Sequence, residues 1–262
     1  MTHQPVRAKK HLGQHFLTDE SIAKNIVDAL LDKDNTTAIV EVGPGTGVLT
    51  QFLINDIEKY VALDVDTESV EYLKNKYPEK KDKILLADFL NTDLLKLSGD
   101  KYNLIGNFPY NISSQIMFNV LENKEQVDIV VGMFQREVAL RIAEKPGSKV
   151  YGILSVLLQA FYDIEYLFTV NENVFNPPPK VKSAVIRLTR NNVKKLDCDE
   201  VLFKKVIKTT FNQRRKTIRN SIRTLFNDNE NRHPLLDKRP EQLSVAQFVE
   251  LTKFVQASIK DL

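Results

Sequence analysis

Residues in the first two thirds of the chain form short, predominantly apolar runs that alternate with turns and stretches of helical spacing. The runs lie at residues 38–42, 60–63, 84–87, 102–105, 127–133, 164–170 and 184–189. Runs of this length are typical of strands that are buried on both faces. Helical spacing follows a cap at Thr18 or Asp19 and begins again near Ser113. The alternation predicts an α/β fold in which helices cover both faces of a mostly parallel sheet.

The pattern changes after residue 189. Residues 190–200 are polar and mark a predicted boundary between a first domain, 1–190, and a second, helical domain, 191–262. The cations that precede the next acid in the second domain are Lys204, Lys205, Lys208, Arg214, Arg215, Lys216, Arg219 and Arg223. A run of cations without interleaved acids repels itself unless phosphates neutralise it. The pattern therefore favours RNA or DNA contact, above all through the last five of these residues, over a merely solvated helix surface.

The composition narrows the class of protein further. A chain of 262 residues with 42% hydrophobic residues is long enough to bury a substantial core. Cys198 is the single cysteine, which excludes an intrachain disulfide, and the four histidines lack the paired spacing of a zinc site. No apolar run reaches membrane-spanning length, and the polar, basic first residues lack the apolar segment of a signal peptide. We therefore expect a cytoplasmic protein that uses neither a metal nor a membrane.

A glycine-rich turn, GPGTG at residues 43–47, follows the first predicted strand. Such a turn lets a ligand approach the backbone closely, and the helical spacing of the next residues predicts a helix after Gly47. The spacing is tighter than that of a dinucleotide-binding fingerprint, and the chain contains no triphosphate-binding loop. Asp64 and Asp88 end the next two strands, where carboxylates can accept hydrogen bonds from ribose hydroxyls and from an adenine amine. Single acids at strand ends are common, but together with the glycines the set fits an adenosine.

A second turn, GNFPYN at residues 106–111, joins a buried strand to a helix and is the predicted centre of the chemistry. The amide of Asn107 both donates and accepts hydrogen bonds. Pro109 stiffens the turn and pushes Phe108 toward an extended conformation. Tyr110 adds a flat ring with a polar tip, so the four residues suit a planar ring that carries an amine. Taken alone, the motif also fits an ordinary turn at the end of a strand. The other motifs of the chain decide between the two interpretations.

Three consecutive prolines at residues 177–179 make the connection between the last two predicted strands stiff and extended. Phe175 stands just before them. The residues alone allow two interpretations of this ring: an aromatic presented to a base, or a side chain that fastens the loop to the core.

These motifs resemble the ribosomal RNA adenine dimethyltransferases of the KsgA type, which use S-adenosylmethionine. The resemblance runs nearly from end to end: LGQHFL at 12–17, EVGPGTG at 41–47, NFPYNIS at 107–113, PPPKVKSAV at 177–185 and FNQRRKT at 211–217. It implies a Rossmann-like, seven-stranded methyltransferase sheet followed by a small all-helical domain. It also implies dimethylation of N6 on two adjacent adenosines near the 3′ end of small-subunit (16S) ribosomal RNA. The implied partner is the immature small ribosomal subunit, and the implied oligomeric state is a monomer.

The resemblance also assigns residues to roles. The implied methyl-donor contacts are His15, Leu17, Gly43, Gly45, Asp64, Asp88 and Asn107. The implied catalytic turn is Asn107, Phe108, Pro109 and Tyr110, with Phe175 as a second ring against the base. Three positions depart from the family pattern: His15 replaces the usual Asn, Asp64 the usual Glu, and Phe108 the common Leu. The shorter Asp64 leaves room for Asp66 to share the ribose contact.

Two other functions stay open at this stage. One is methylation of large-subunit ribosomal RNA, as in the Erm resistance enzymes, which resemble this chain at residues 107–110 but not at residues 211–217. The other is a role as a ribosome-assembly factor that uses the methyl donor as a checkpoint.

Overall fold

The computed structural model describes residues 6–34, 36–225 and 233–260, and these residues form two compact units. The first unit consists of Met1–Ala139 and Asp163–Arg190, and the second of Leu140–Tyr162 and Asn191–Leu262. The chain passes from the first unit into the second after Arg190, at the boundary predicted from the sequence. The segment Leu140–Tyr162, which the sequence pattern placed in the first domain, clusters with the C-terminal residues instead.

The strands and helices follow one another in the order that the hydrophobic runs predict. The strands are β1 Phe16–Leu17, β2 Ala38–Val42, β3 Tyr60–Asp64, β4 Ile84–Leu86, β5 Tyr102–Asn107, β6 Val127–Gln135, β7 Tyr162–Val170, β8 Phe175–Asn176 and β9 Ser183–Arg190. The helices are α1 Glu20–Leu31, α2 Thr67–Lys76, α3 Leu95–Ser98, α4 Ser113–Glu122, α5 Arg136–Ala143, α6 Ile153–Gln159, α7 Glu200–Asn212, α8 Ile218–Ser221 and α9 Val245–Lys260. No described helix is both long enough and apolar enough to cross a bilayer.

A seven-stranded sheet with the order β4-β3-β2-β5-β6-β9-β7 forms the centre of the first unit. Neighbouring strands from β4 to β6 are parallel, and β9 runs antiparallel to β6. The predicted α/β fold with a mostly parallel, seven-stranded sheet is thereby confirmed. Because parallel strands end at the same edge of the sheet, the residues that follow Val42, Leu63 and Gly106 emerge side by side.

A second, two-stranded sheet fastens the N-terminal hook, residues 9–17, to the first unit. β1 pairs antiparallel with β8, so that Phe16 lies opposite Asn176 and Leu17 opposite Phe175. The main-chain N–H of Thr18 extends the pairing to the carbonyl of Val174 at 2.9 Å. Strands of two residues carry no periodic pattern, and the sequence analysis did not predict this pairing.

Helix α1 begins where its cap predicts. The Asp19 carboxylate accepts hydrogen bonds from the main-chain N–H groups of Ser21 and Ile22, at 2.9 and 3.1 Å. The prediction of a helix directly after Gly47 is wrong. A series of turns leads instead into a single 3-10 turn, Thr50–Phe52, because Gly47 has a left-handed backbone conformation with φ of 81°.

The second unit is built from packed helices. Its buried side chains include Phe203, Val206, Ile207, Phe248, Leu251 and Val255, which face one another from α7 and α9. The basic run does not lie on one continuous helix, since α7 ends at Asn212 and α8 begins at Ile218. Arg214, Arg215 and Lys216 therefore lie in the turn between two helices.

Candidate functional site

A cavity of about 300 Å³ opens at the carboxyl edge of the central sheet. We call it the first cavity. The predicted site residues that line it are His15, Gly43, Gly45, Asp64, Asp88, Asn107, Phe108, Pro109 and Tyr110. Three segments that are far apart in sequence thus meet as predicted: the N-terminal hook, the glycine turn at 43–47 and the Asn107 turn, residues 106–111.

The side chain of Asn107 has a defined orientation. Its Nδ2 donates a hydrogen bond of 2.8 Å to the main-chain carbonyl of His15. A carbonyl only accepts hydrogen bonds, so the amide nitrogen must face the hook. The amide oxygen, Oδ1, is left as an acceptor, and no described residue donates to it. A ligand that offers an N–H group fits this position.

The Asn107 turn is held from beneath by the ring of Phe108, which is only 1% exposed. The ring packs edge-on against Phe134 with 5.1 Å between centroids and lies over Gly106 and Gly132, where there is no side chain. The main-chain N–H of Phe108 donates to the carbonyl of Met133 at 3.2 Å. Because the ring points into the core, Phe108 presents its main chain to the first cavity.

Tyr110 is fixed both at its hydroxyl and at one face of its ring. The hydroxyl shares a short hydrogen bond with Ser183 Oγ on β9. The His15 ring stacks on Tyr110 with 5.3 Å between centroids and 30° between planes. His15 Nδ1 in turn donates a 2.8 Å hydrogen bond to the carbonyl of Pro177, since that oxygen can only accept. Burial raises the pKa of the Tyr110 hydroxyl, which keeps the ring neutral around physiological pH.

The glycine turn brings backbone close to the first cavity. Gly43 and Gly45 have positive φ angles of 68° and 54°, a conformation that other residues rarely adopt. A Cβ atom at residue 45 would lie 2.8 Å from the ring of Phe16. The turn and the hook thus pack too closely for any side chain at that position.

Asp64 ends β3 at the floor of the first cavity and is 7% exposed. One carboxylate oxygen accepts from the Gly45 N–H at 3.1 Å, and the other accepts from the Asp66 N–H at 2.9 Å. Burial raises the pKa of this carboxyl, which these two hydrogen bonds partly offset. A buried acceptor beside a glycine turn suits the hydroxyl groups of a ribose.

Asp88 stands at the rim, at the end of the loop after β4. Its carboxylate accepts from the main-chain N–H of Leu90 at 3.0 Å and from Asn91 Nδ2 at 2.6 Å. These contacts fix the carboxylate beside the first cavity, where it can accept a further hydrogen bond from an amine. With Asp64 and the glycines, it gives a site that suits a nucleoside.

Asp66 serves a different purpose from the shared ribose contact that the sequence suggested. Its side chain is fully buried and accepts hydrogen bonds from Lys9 Nζ, from Gln14 Nε2 at 3.1 Å and from Ser69 Oγ at 3.0 Å. Burial opposes ionisation of Asp66, but the hydrogen bonds from Lys9 and Gln14 outweigh it and lower the pKa below its ordinary value. Asp66 thus fastens the start of the hook, at Lys9 and Gln14, to the first unit.

Glu41 lies buried directly before the glycine turn, with 1% of its surface exposed. It accepts hydrogen bonds from the hydroxyls of Tyr60 and, at 3.0 Å, of Thr50. Burial raises its pKa to about 7, a shift that these hydrogen bonds reduce and that the nearby Asp64 charge increases.

Two predicted site residues do not reach the first cavity. The side chains of Leu17 and Phe175 are 2% and 4% exposed and belong to the hydrophobic core, because they pair across β1 and β8. Phe175 therefore fastens the loop, and the alternative of a ring presented to a base is wrong for this structure. Leu17 contributes to the site only by placing Phe16 and His15.

Sequence reasoning also missed several residues that line the first cavity. The residues to which no role was assigned include Gly13, Gln14, Phe16, Val65, Leu90, Asn111 and Gln115. Four of them lie within the motifs at 12–17 and 107–113, which was the signal that could have found them. Val65 and Leu90 had only their proximity in sequence to Asp64 and Asp88, and Gln115 lies outside the motifs.

The predicted nucleic-acid contacts of the second unit divide into two groups. Arg214 donates to the Ser148 carbonyl at 3.2 Å and lies 3.8 Å from a Glu241 oxygen, and Arg219 lies 3.3 Å from Asp237. No acid is interleaved in the run itself, but acids from later elements approach these two arginines, so phosphate is not needed to neutralise them. Arg215, Lys216 and Arg223 are exposed, and no described acid pairs with them.

The chain matches known proteins along nearly its whole length. Residues 6–257 match the family model described as ribosomal RNA adenine dimethylase. The ribosomal RNA small subunit methyltransferase A of Parabacteroides distasonis is 55% identical over 257 residues, 97% of this chain and 96% of that protein. The protein of the same name from Flavobacterium johnsoniae is 56% identical over 256 residues, 97% of this chain and 98% of that protein.

Two solved structures share the fold. A dimethyladenosine transferase from Plasmodium falciparum has a TM-score of 0.77 at 22% identity, over 93% of this chain and 98% of that one. The 23S rRNA methyltransferase ErmE has a TM-score of 0.68 at 21% identity, over 91% of this chain and 99% of that one. At these identities the likeness concerns the fold.

Proposed function

The chain belongs to the ribosomal RNA adenine dimethylase family, and from this premise we propose that it dimethylates N6 of two adjacent adenosines near the 3′ end of small-subunit ribosomal RNA. The methyl donor is S-adenosylmethionine. The observation that carries the proposal is the amide of Asn107, whose nitrogen is bonded to the hook and whose oxygen is left to accept from an amine. We further propose the immature small subunit as the substrate and a monomer as the active form.

The donor's chemistry fits the first cavity. When bound, S-adenosylmethionine supplies a methyl group on a positively charged sulfur. Gly43, Gly45, Asp64 and Asp88 all line the first cavity. Gly43 and Gly45 would allow the donor's close approach, Asp64 would accept from its ribose, and Asp88 would accept from its adenine amine. His15 lines the same cavity, but its Nδ1 is used by Pro177, which leaves Nε2 for a ligand.

The protein's task is to make a poor nucleophile react. The lone pair of an adenine amine is delocalised into the ring. It becomes localised on the nitrogen when the two N–H groups are held out of the ring plane. Asn107 Oδ1 and the Phe108 carbonyl accept one hydrogen bond from each N–H group, while Tyr110 supplies a flat surface for the base. Asn107 is not a base near neutral pH, so the proton that the amine loses passes to water. Positioning of this kind supplies several kcal/mol of a barrier, roughly 7–11 at its limit.

The second unit supplies affinity for the RNA in this proposal. Arg215, Lys216 and Arg223 present positive charge that no described acid neutralises. Contacts of that kind orient a nucleic acid without reading its sequence.

The test uses purified protein, radiolabelled S-adenosylmethionine, small subunits that lack the modification, and deproteinised large-subunit RNA. We expect dimethyladenosine in the small-subunit RNA, and a loss of turnover of at least about 100-fold in Asn107→Ala with donor affinity nearly unchanged. Asn171→Ala, at an exposed asparagine whose side chain caps no helix, is the matched control.

Other products would point elsewhere. Label in large-subunit RNA alone would indicate the Erm specificity. Tight subunit binding without label would indicate an assembly factor, and an equal loss of turnover and donor binding in Asn107→Ala would contradict the role of Asn107.

A further inference from the structure

A second cavity of about 430 Å³ lies beside the first and belongs to the same unit. The two share four lining residues: Gly13, Gln14, His15 and Tyr110. Asn107, Asp64 and Asp88 line only the first cavity. The second cavity therefore adjoins the reaction site without containing the amide that holds the amine.

The wall between the cavities is made of stacked rings. His15 and Tyr110 lie 5.3 Å apart, and both ends of the stack are hydrogen-bonded, to Pro177 and to Ser183. A wall held in this way keeps its shape when a ligand enters from either side. It also places an aromatic surface on the boundary between the two cavities.

The charge of the second cavity is positive. Lys10 and Lys180 line it, and no acidic residue does so among the described residues. Neither lysine has a carboxylate within 4.0 Å in the described part of the chain. Unpaired ammonium groups at the mouth of a cavity attract phosphate.

Part of the lining is apolar and stiff. It includes Pro177, Pro178 and Pro179, whose φ angles are restricted, and Val181, which is 46% exposed. The exposed side chain of Val181 offers apolar contact area to a planar base.

We propose that the second cavity receives the nucleotide that adjoins the target adenosine. Its base lies against the triple-proline segment and Val181, and Lys10 and Lys180 neutralise its phosphate. This inference rests on the proposed function: when one of two adjacent adenosines is held by Asn107, the second cavity holds its neighbour. The His15–Tyr110 wall separates the two bases so that one amine at a time meets Asn107.

Filling the second cavity tests its occupancy. Val181→Trp adds a bulky ring at an already exposed position, and Leu97→Trp, at a leucine that is 42% exposed on α3, is the matched control. We expect Val181→Trp to lower kcat/KM for small subunits by at least about tenfold, the effect of about 1.4 kcal/mol. The dissociation constant for S-adenosylmethionine, measured by calorimetry, should not change.

Removing the charge tests the phosphate contact. Lys10→Ala/Lys180→Ala should reduce the slope of log affinity against log salt by roughly 0.7, because the two lysines share one phosphate and each single-strand phosphate contributes about 0.7. Lys59→Ala/Lys81→Ala removes two exposed lysines elsewhere in the first unit and should leave the slope as in the wild type.

The outcomes separate this inference from the proposed function. If the wild type dimethylates small-subunit RNA but Val181→Trp and Lys10→Ala/Lys180→Ala behave like their controls, the second cavity does not hold a nucleotide. If both variants lose donor affinity together with activity, the second cavity belongs to the donor site and the inference is overturned. If the wild type labels no RNA, the proposed function itself fails.

Discussion

The ring of Phe108 occupies the space that a side chain at Gly132 would need. A Cβ atom at residue 132 would lie 2.7 Å from ring atom Cδ2 and closer still to Cε2. Phe108 directly follows β5 and Gly132 lies within β6, and the parallel register of the two strands, which places Gly106 opposite Gly132, brings them together. The position of the Asn107 turn therefore depends on a residue 24 positions further along the chain that never meets a ligand.

We predict that Gly132→Ala lowers both stability and turnover. The added methyl group must displace the Phe108 ring or the strand, which costs about 1–3 kcal/mol, and the displaced ring moves the neighbouring Asn107. Adding Phe108→Leu removes the overlap, so the double variant should recover part of both losses. Urea unfolding and methyl transfer to small subunits measure the effect. Gly152→Ala is the control, because a Cβ atom there meets nothing closer than 3.8 Å.

The pair forms a double-mutant cycle with a clear contrary result. Strictly additive losses in Gly132→Ala, Phe108→Leu and the double variant would mean that the two residues do not share the space.

The hydrogen bond from Asn107 Nδ2 to the His15 carbonyl predicts an asymmetry between two substitutions. Asn107→Asp keeps an acceptor oxygen but places a carboxylate against a carbonyl, whereas Asn107→Ala only leaves the carbonyl without its donor. Both should reduce turnover by at least about 100-fold. Asn107→Asp should in addition weaken binding of S-adenosylmethionine more than Asn107→Ala does, because repulsion displaces the hook. Calorimetry measures the binding, and equal affinities in the two variants would contradict a structural role of this bond.

The buried hydrogen bonds of Asp66 lead to a prediction about how firmly the hook is held after mutation and at low pH. Asp66→Ala leaves Lys9 and Gln14 without their buried acceptor, at a cost of about 2 kcal/mol, and should speed amide exchange in residues 9–17. Because the folded-state pKa of Asp66 is lowered, its contribution is present above the ordinary carboxyl pKa and is lost as pH falls below about 4.

The control for Asp66 is Asp28→Ala, which removes an exposed ion pair with Lys24 on α1 and should change little. Mass spectrometry of deuterium uptake distinguishes the two. Unchanged uptake in residues 9–17 of Asp66→Ala would show that the β1–β8 pairing alone holds the hook.

The sequence was sufficient to predict what depends on local pattern. The strands ending at Val42, Asp64 and Asn107 follow from predominantly apolar runs, and the parallel arrangement then places their ends at one edge. His15 and Pro177, by contrast, are joined across 162 positions through strands of two residues, which leave no periodic signal. Phe175 shows the same limit, since the residues allowed a presented ring as readily as the buried one that the structure contains.

The contacts of the arginines and lysines in the second unit lead to a prediction about which of them contribute to RNA binding. Arg215→Ala, Lys216→Ala and Arg223→Ala together should weaken binding to small subunits and reduce the salt slope, since these side chains are exposed and no described acid pairs with them. Arg214→Ala should instead lower the melting temperature, because Arg214 contacts the Ser148 carbonyl and lies near Glu241. Salt-dependent binding assays and thermal unfolding separate the two effects. A triple variant with the wild-type salt slope would remove the second unit from the proposed RNA contact.

The burial of Glu41, next to the glycine turn, leads us to predict that the stability of the protein depends on pH. Its folded-state pKa is about 7 and its ordinary value is 4.5, because burial disfavours the charged form despite hydrogen bonds from Tyr60 and Thr50. Between these values the unfolded chain releases the proton and the folded chain keeps it. The free energy of unfolding should therefore fall as pH rises from about 4.5 to about 7, by at most about 3 kcal/mol, and level off above that range.

Glu41→Gln, which cannot ionise, should lack this component of the fall, whereas Glu58→Gln at an exposed position should keep it. Urea unfolding at about pH 5 and about pH 8 measures the difference. Parallel pH profiles for the wild type and Glu41→Gln would mean that Glu41 is ionised in the folded protein, and a second negative charge would then stand beside Asp64 at the floor of the first cavity.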